Sequence, residues 1–201
     1  MKALTIKDHE DFLRQISKPV ESNDPELIDN ISVLERYCKQ HDRILAMAAV
    51  QLGIPKRLIY IKNTNIDLVT KPLSERTEEE KLYNEARVLI NPSITSREGL
   101  TQDWESCASC LDNMGLVKRP YKIIVEYYDI TGNKKEEIFE GFESTVLSHE
   151  MDHLDGILHM DVAEKVLQVP KEDRKEFWKT HKGYDIISKT GKFEELKNRK
   201  E

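Results

Sequence analysis

Cysteine is scarce in this chain of 201 residues: Cys38, Cys107 and Cys110 are the only three. So small and odd a count excludes a disulfide framework and favours a reducing compartment. Long apolar runs are missing as well. None approaches the roughly 20 residues that a membrane span needs, and mean hydropathy is −0.61. Residues 1–8 carry neither an apolar h-region nor an Arg-rich amphipathic pattern. The expected location is therefore the cytoplasm, or an organelle where a presequence has been removed. Positive charge is not in excess, since 31 Lys and Arg face 37 Asp and Glu for a net charge of −6. Neutralising phosphates needs a basic surface, so no direct nucleic-acid site is expected. Internal repeats, low-complexity linkers and an obvious interface stripe are also absent, and a monomer is the expectation.

What is present suits one domain of ordinary size, with 38% hydrophobic residues for a core and 34% charged residues for its surface. Asp24-Pro25 reads as an N-cap followed by proline at the first helical position. Leu27, Ile31, Leu34 and Cys38 then recur at helical spacing, which predicts an amphipathic helix over 25–40 with Cys38 as a buried core thiol. Short β-rich runs follow at Leu58 to Ile61 and at Val88 to Ile90, ahead of Asn91-Pro92. Between them, Asn63 to Tyr83 is polar and holds Glu78-Glu79-Glu80-Lys81, which reads as an exposed insertion. Ile123, Val125 and Tyr127 alternate with polar neighbours, Asp129 to Asn133 forms a turn around Gly132, and Ile138-Phe139 closes a hairpin. Ser144 to Leu154 predicts a second helix. Beyond Asp161 the chain is mostly charged, with Val166, Leu167, Phe177 and Trp178 as sparse anchors. Residues 166–201 are thus expected to be an extension, helical or partly disordered, after a main domain over 1–165. Helix, several strands, then helix suggests an α+β fold.

His149-Glu150-Met151-Asp152-His153 is an H-E-x-x-H pentad. On a helix its histidines lie one turn apart on one face and can share a metal ion, while Glu150 reaches a water beside it. Phe142 and Val146 extend the same face with apolar groups, which turns the histidines toward the core. A catalytic site needs a third protein ligand and an open position. Two candidates exist. Downstream, His159 completes H-E-x-x-H-x-x-G-x-x-H, the metzincin protease pattern. That pattern also requires a methionine turn well beyond the third histidine, and Met160 is the last of the five methionines. His159 is read instead as part of a strand or loop leaving the helix. Upstream, Cys107 offers a thiolate. Cys107 and Cys110 also form a C-x-x-C, but no second pair completes a structural zinc site and no βαβ context supports a redox motif.

Three ordered motifs resemble those of peptide deformylases. Glu105-Ser106-Cys107-Ala108-Ser109 is similar to the family's E-G-C-L-S, His149 to His153 to its H-E-x-D-H, and Ala48-Ala49-Val50-Gln51 to the end of its G-x-G-x-A-A-x-Q. Leu89-Ile90-Asn91-Pro92 resembles the strand before the cysteine motif, and the likeness runs over about residues 10–165. The resemblance implies mixed, mostly antiparallel sheets around a central helix that carries the histidines. It implies one divalent ion on Cys107, His149 and His153, Fe2+ in the cell, with Zn2+, Ni2+ or Co2+ as substitutes. Glu150 would move the proton, while Gln51 and the Ala108 N–H would stabilise the oxyanion. The reaction implied is removal of the formyl group from N-formyl-methionyl nascent peptides, with release of formate, near the ribosome's exit tunnel. Glu105 and Arg119 would form an ion pair bracing the cysteine loop, and Leu45, Ala46, Ser106, Phe142, Thr145 and Val146 would bind the substrate.

The chain departs from the family at four places. Ile44 and Ala46 stand where the first motif has glycines, Ser106 replaces the glycine before the cysteine, and Ala108 replaces the leucine after it. Glycine serves where backbone must approach a ligand closely. A weakly active deformylase, one with a changed acyl substrate, and a binding protein for N-terminal peptides are therefore the alternatives, beside the metzincin reading.

Overall fold

The computed structural model describes residues 2–41, 43–63, 68, 71, 73–81 and 85–198. Helices α1 (Ile6–Leu13) and α2 (Leu27–Lys39) open the chain. Helix α2 buries Ile31, Leu34 and Cys38 on the stripe that the spacing predicts. Its start differs. Asp24 accepts the Glu26 N–H on its side chain at 3.0 Å and the Leu27 N–H on its carbonyl at 3.2 Å. Asp24-Pro25 is therefore a turn ahead of the helix, not its cap, because the aspartate satisfies its own local backbone first.

Strands β1 (Ala46–Ala48) and β2 (Leu58–Lys62) pair antiparallel. Nine of the 21 residues of the insertion expected over 63–83 lie outside the described residues. Within it, helix α3 (Glu78–Lys81) carries the charge run, and Lys71 pairs with Glu80 at 2.7 Å. Strand β3 (Ala86–Ser106) is 21 residues long and organises the sheet. It pairs successively with β2, with β5 (Lys122–Tyr128) and with β4 (Asn113–Arg119). Its bend is built at Asn91, which adopts φ 51° and bonds Val20 N and O through its amide, each at 2.8 Å. Asparagine tolerates this left-handed geometry better than most side chains. Strand β6 (Lys134–Glu140) closes the hairpin with β5 around Asp129, whose carboxylate takes the N–H groups of Thr131 and Asn133.

Helix α4 (Phe142–Leu154) packs Leu147, Met151 and Leu154 onto Ala48, Ile59, Ile61, Leu89, Ile123, Val125 and Phe139. Each such aliphatic or aromatic side chain contributes about 1.5–3 kcal/mol by leaving water. The helix stops at Gly156, with φ 73°. Ile157 N–H bonds Asp152 O at 2.9 Å and Gly156 N–H bonds His153 O at 3.2 Å, the two bonds of a Schellman stop.

The remainder comprises α5 (His159–Val162), β7 (Lys165–Gln168), α6 (Arg174–Thr180), β8 (Asp185–Lys192) and α7 (Phe193–Lys197). Strand β7 pairs with β4, β8 pairs with β3, and among the described residues the eight strands of the sheet all pair antiparallel. A boundary at 165 falls inside β7, and the segment beyond it holds a further strand as well as helices. Residues 185–192 show no inward alternation of burial, so β8 is held by its hydrogen bonds to β3 and not by an apolar face of its own.

Candidate active site

Two elements bring the site together. Helix α4 presents His149 and His153, and Cys107 follows directly on β3. The ligating atoms of these three buried residues all lie within 4.8 Å of one another. Cys107 Sγ is 3.2 Å from His153 Nε2. His149 Nδ1 is 2.8 Å from Glu105 Oε2, which leaves its Nε2 for an ion. One thiol and two imidazoles converging in this way fit a divalent transition metal held at about 2.0–2.3 Å from each donor.

Behind the ligands lies a buried charge network. Arg119 grips Glu105 with two bonds, Nε to Oε1 at 2.8 Å and Nη2 to Oε2 at 3.0 Å, and its Nη1 reaches Asp152. Burial pushes the Glu105 carboxyl up, but Arg119 and His149 outweigh it and hold the group well below the ordinary carboxylate range. For His149, burial disfavours the imidazolium, yet Cys107 and Glu105 raise its pKa well above the usual value. That negative potential suits a bound cation equally well.

Glu150 is buried on the same helix. Burial is the main cause that moves its carboxyl up to about 7, with Cys107 adding to it and His149 opposing. Its Oε2 accepts the Ala48 N–H at 2.7 Å. The same N–H also reaches Gln51 Oε1 at 3.0 Å, which turns the Gln51 Nε2 donors toward Cys107 Sγ (3.4 Å) and Ser109 Oγ (3.2 Å). Ala108 is exposed, and its N–H has no protein partner among the described residues.

Of the residues expected to bind substrate, Ala46 and Val146 pack in one cluster, Thr145 bonds Thr101 at 3.1 Å between hydroxyls, and Phe142 meets Tyr184 edge-on at 5.5 Å. Leu45 is half-buried beside β1, and Ser106 is exposed where β3 ends. His159 lies in helix α5, not in a strand or loop. Its ring stacks on His149 at 5.6 Å, and its Nε2 is 3.2 Å from Asn113 O. Gly115 leaves room for it, since a Cβ there would sit 2.8 Å from the ring. Sequence reasoning missed Asp152, Ser109 and the Ala48 N–H. For Asp152 the available signal was Arg119, because a buried guanidinium has more donors than one carboxylate can take.

A helix-borne H-E-x-x-H completed by a sheet-borne cysteine, with a buried glutamate beside it, defines a metal-dependent hydrolase. A family model described as polypeptide deformylase matches residues 2–168. The peptide deformylase of Rhizorhabdus wittichii is 38% identical over 152 residues, covering 74% of this chain and 79% of its own. That of Pelagibacter ubique is 34% identical over 159 residues, covering 77% and 82%. Among solved structures, the peptide deformylase from Synechococcus elongatus in complex with actinonin superposes with a TM-score of 0.66 at 31% identity, covering 82% of this chain and 81% of that one. This chain belongs to the polypeptide deformylase family, hydrolases that remove N-formyl groups from nascent peptides.

Proposed function

We propose that Cys107, His149 and His153 hold the catalytic ion and that Glu150, Gln51 and the Ala108 N–H carry out deformylation of N-formyl-methionyl peptides around it. The observation that carries this reading is the convergence of the three donors with the Glu150 carboxyl and the Gln51 amide at one buried point. When bound, the ion supplies a Lewis acid that makes water nucleophilic near neutral pH. Glu150 Oε2 is held by the Ala48 N–H, so Oε1 is the oxygen that takes the water proton and returns it to the leaving amine nitrogen. Gln51 Nε2 and the Ala108 N–H donate to the oxygen that becomes negative as the formyl carbon turns tetrahedral. Formate and a free N-terminus result.

Strand β1 ends the strand order β1-β2-β3-β4-β7, and among the described residues no strand pairs with its outer edge, where an extended peptide would add at Ala46. Leu45, Ala46 and Ser106 flank that path, with Phe142, Thr145 and Val146 receiving the first side chain. Glu105 and Arg119 orient His149 and the cysteine loop. The donor set suits Fe2+, Zn2+, Ni2+ and Co2+ alike, and we take Fe2+ as the cellular ion. Residues 1–165 form the catalytic unit and 166–201 brace it. The protein works in the cytoplasm as a monomer, on chains leaving the ribosome.

The test joins metal content to formate release from a formyl-Met peptide. Cys107→Ala loses both, and His159→Ala keeps bound metal. The opposite pattern would make His159 the third ligand and return the metzincin reading.

A further inference from the structure

A cavity of 460 Å³ lies against α4 on a face that the metal donors do not use. Ser148, Met151, Asp152 and Asp155 line it from one side of the helix, whereas His149, Glu150 and His153 do not. Strand β3 adds Ser93, Ile94 and Arg97, and α7 adds Phe193, Glu194 and Lys197. Helix α7 lies beyond the stretch 2–168 that the family model matches.

The lining is unbalanced in charge. Arg57, Arg97, Lys118, Arg119 and Lys197 share it with only three carboxylates, Asp152, Asp155 and Glu194. Arg57 pairs with Asp155 at 2.7 Å, Arg119 pairs with Asp152, and Lys118 pairs at 2.8 Å with the exposed Glu164 outside the cavity. Arg97 and Lys197 have no ion pair among the described residues. The lining also holds an unused donor. Ser148 is 5% exposed, and its Oγ is buried with no hydrogen-bond partner among the described residues. A buried hydroxyl left in this state is costly, and a ligand that accepts from it removes the penalty. Ile94, Met151, Val162 and Phe193 supply apolar lining, and the volume falls in the range of about 300–1,000 Å³ used by small-molecule sites. A bare ion would use neither.

We propose that this cavity binds a small phosphomonoester, whose phosphate is taken by Arg97, Lys197 and the Ser148 hydroxyl and whose organic body lies against Ile94, Val162 and Phe193. A phosphomonoester carries about −1.5 to −2 charges near pH 7 and three strong acceptor oxygens. That suits a lining with two more cations than carboxylates and with three unsatisfied donors. A carboxylate brings only one charge. Arginine also presents a planar fork that matches phosphate oxygens two at a time. The site is separate from the catalytic ion and does not depend on the reaction performed there.

The test is calorimetric titration of the metal-loaded full chain with adenosine monophosphate, phenyl phosphate, inorganic phosphate and adenosine. At least one of the two esters should bind, about tenfold or more tighter than inorganic phosphate, and adenosine should not bind. Affinity for the ester should fall about tenfold or more in Arg97→Ala and in Lys197→Ala, and severalfold in Ser148→Ala, with circular dichroism and metal content unchanged. It should also weaken as salt rises. No binding of either ester at millimolar concentration overturns the proposal. Inorganic phosphate binding as tightly as the esters overturns it as well. Ester binding that is unaltered in all three variants places the phosphate elsewhere, at the catalytic ion, and overturns it too.

Discussion

Glu105 answers to two cations at once, and the consequences of removing either are different. Arg119→Leu leaves buried Glu105 and half-buried Asp152 without their guanidinium partner. Breaking a buried pair on one side costs about 3–5 kcal/mol, which urea unfolding should record. His149 also loses the fixed carboxylate that orients it, and metal affinity should fall about 10–100-fold in a competitive chelator titration. Arg119→Lys should rescue little, because an ammonium cannot reproduce the two-pronged grip on Glu105. At Glu150 the expectation is separable. Glu150→Gln should keep its metal and its melting temperature but lose about 10²–10⁴-fold in kcat, as removal of a proton-transferring group does. Asp103 titrates in the physiological range. Its folded pKa of about 7 lies above the ordinary aspartate value near 3.9. Stability linked to this group is therefore complete below about pH 4 and is lost as pH rises through 7. Asp103→Asn should melt about 2–4 °C higher than wild type at pH 8, the effect of about 1 kcal/mol in a domain of this size. The gap should close as the pH falls toward 4.

Among the elements, α4 depends on where it ends. Gly156 places His153 three residues before the stop, and a Cβ at 156 would lie 2.2 Å from Arg14 O. The left-handed conformation alone costs an L-residue about 1–2 kcal/mol. With the clash added, Gly156→Ala should lower the melting temperature by at least about 4 °C, measured by circular dichroism. Helices α2 and α4, strand β2 and the β5–β6 hairpin were legible because their apolar periodicity is local and uninterrupted. Strand β3 was legible only at its start, Val88 to Ile90. Its middle carries Asn91, Pro92 and Gly99, and its register shifts against β5, so no period of two survives along it. Strand β8 left no sign at all, since its burial pattern is almost wholly exposed. The juxtaposition of Cys107 with the two histidines was legible through motif order, whereas the His159 ring under His149 was not, because its packing depends on Gly115 of another strand.

At the scale of the molecule, the segment beyond the family-matched region covers one side of the sheet. Trp104 stands edge-on to Phe177 at 5.2 Å in a cluster with Met114 and Val169. A chain ending at Gln168 loses Trp178 and the cover over Trp104, leaving Trp104 as its sole tryptophan. Its fluorescence should shift to the red and its urea midpoint should fall. If the emission stays where the full-length Trp178→Phe variant has it, the segment does not shield that face.

Strand β3 takes partners from residues 58–62 on one side of it in the chain and from 185–192 on the other. Such long-range pairings must close large loops before they are rewarded, and folding slows accordingly. During synthesis the stretch around Glu98 to Gln102 emerges well before the strand that will lie against it. Until then it offers bare N–H and C=O groups, a template for mispairing with another chain. The protein is therefore expected to refold on the millisecond-to-second scale in stopped-flow tryptophan fluorescence, with yield falling as concentration rises. A chain short of residue 185 should aggregate more readily than the full one.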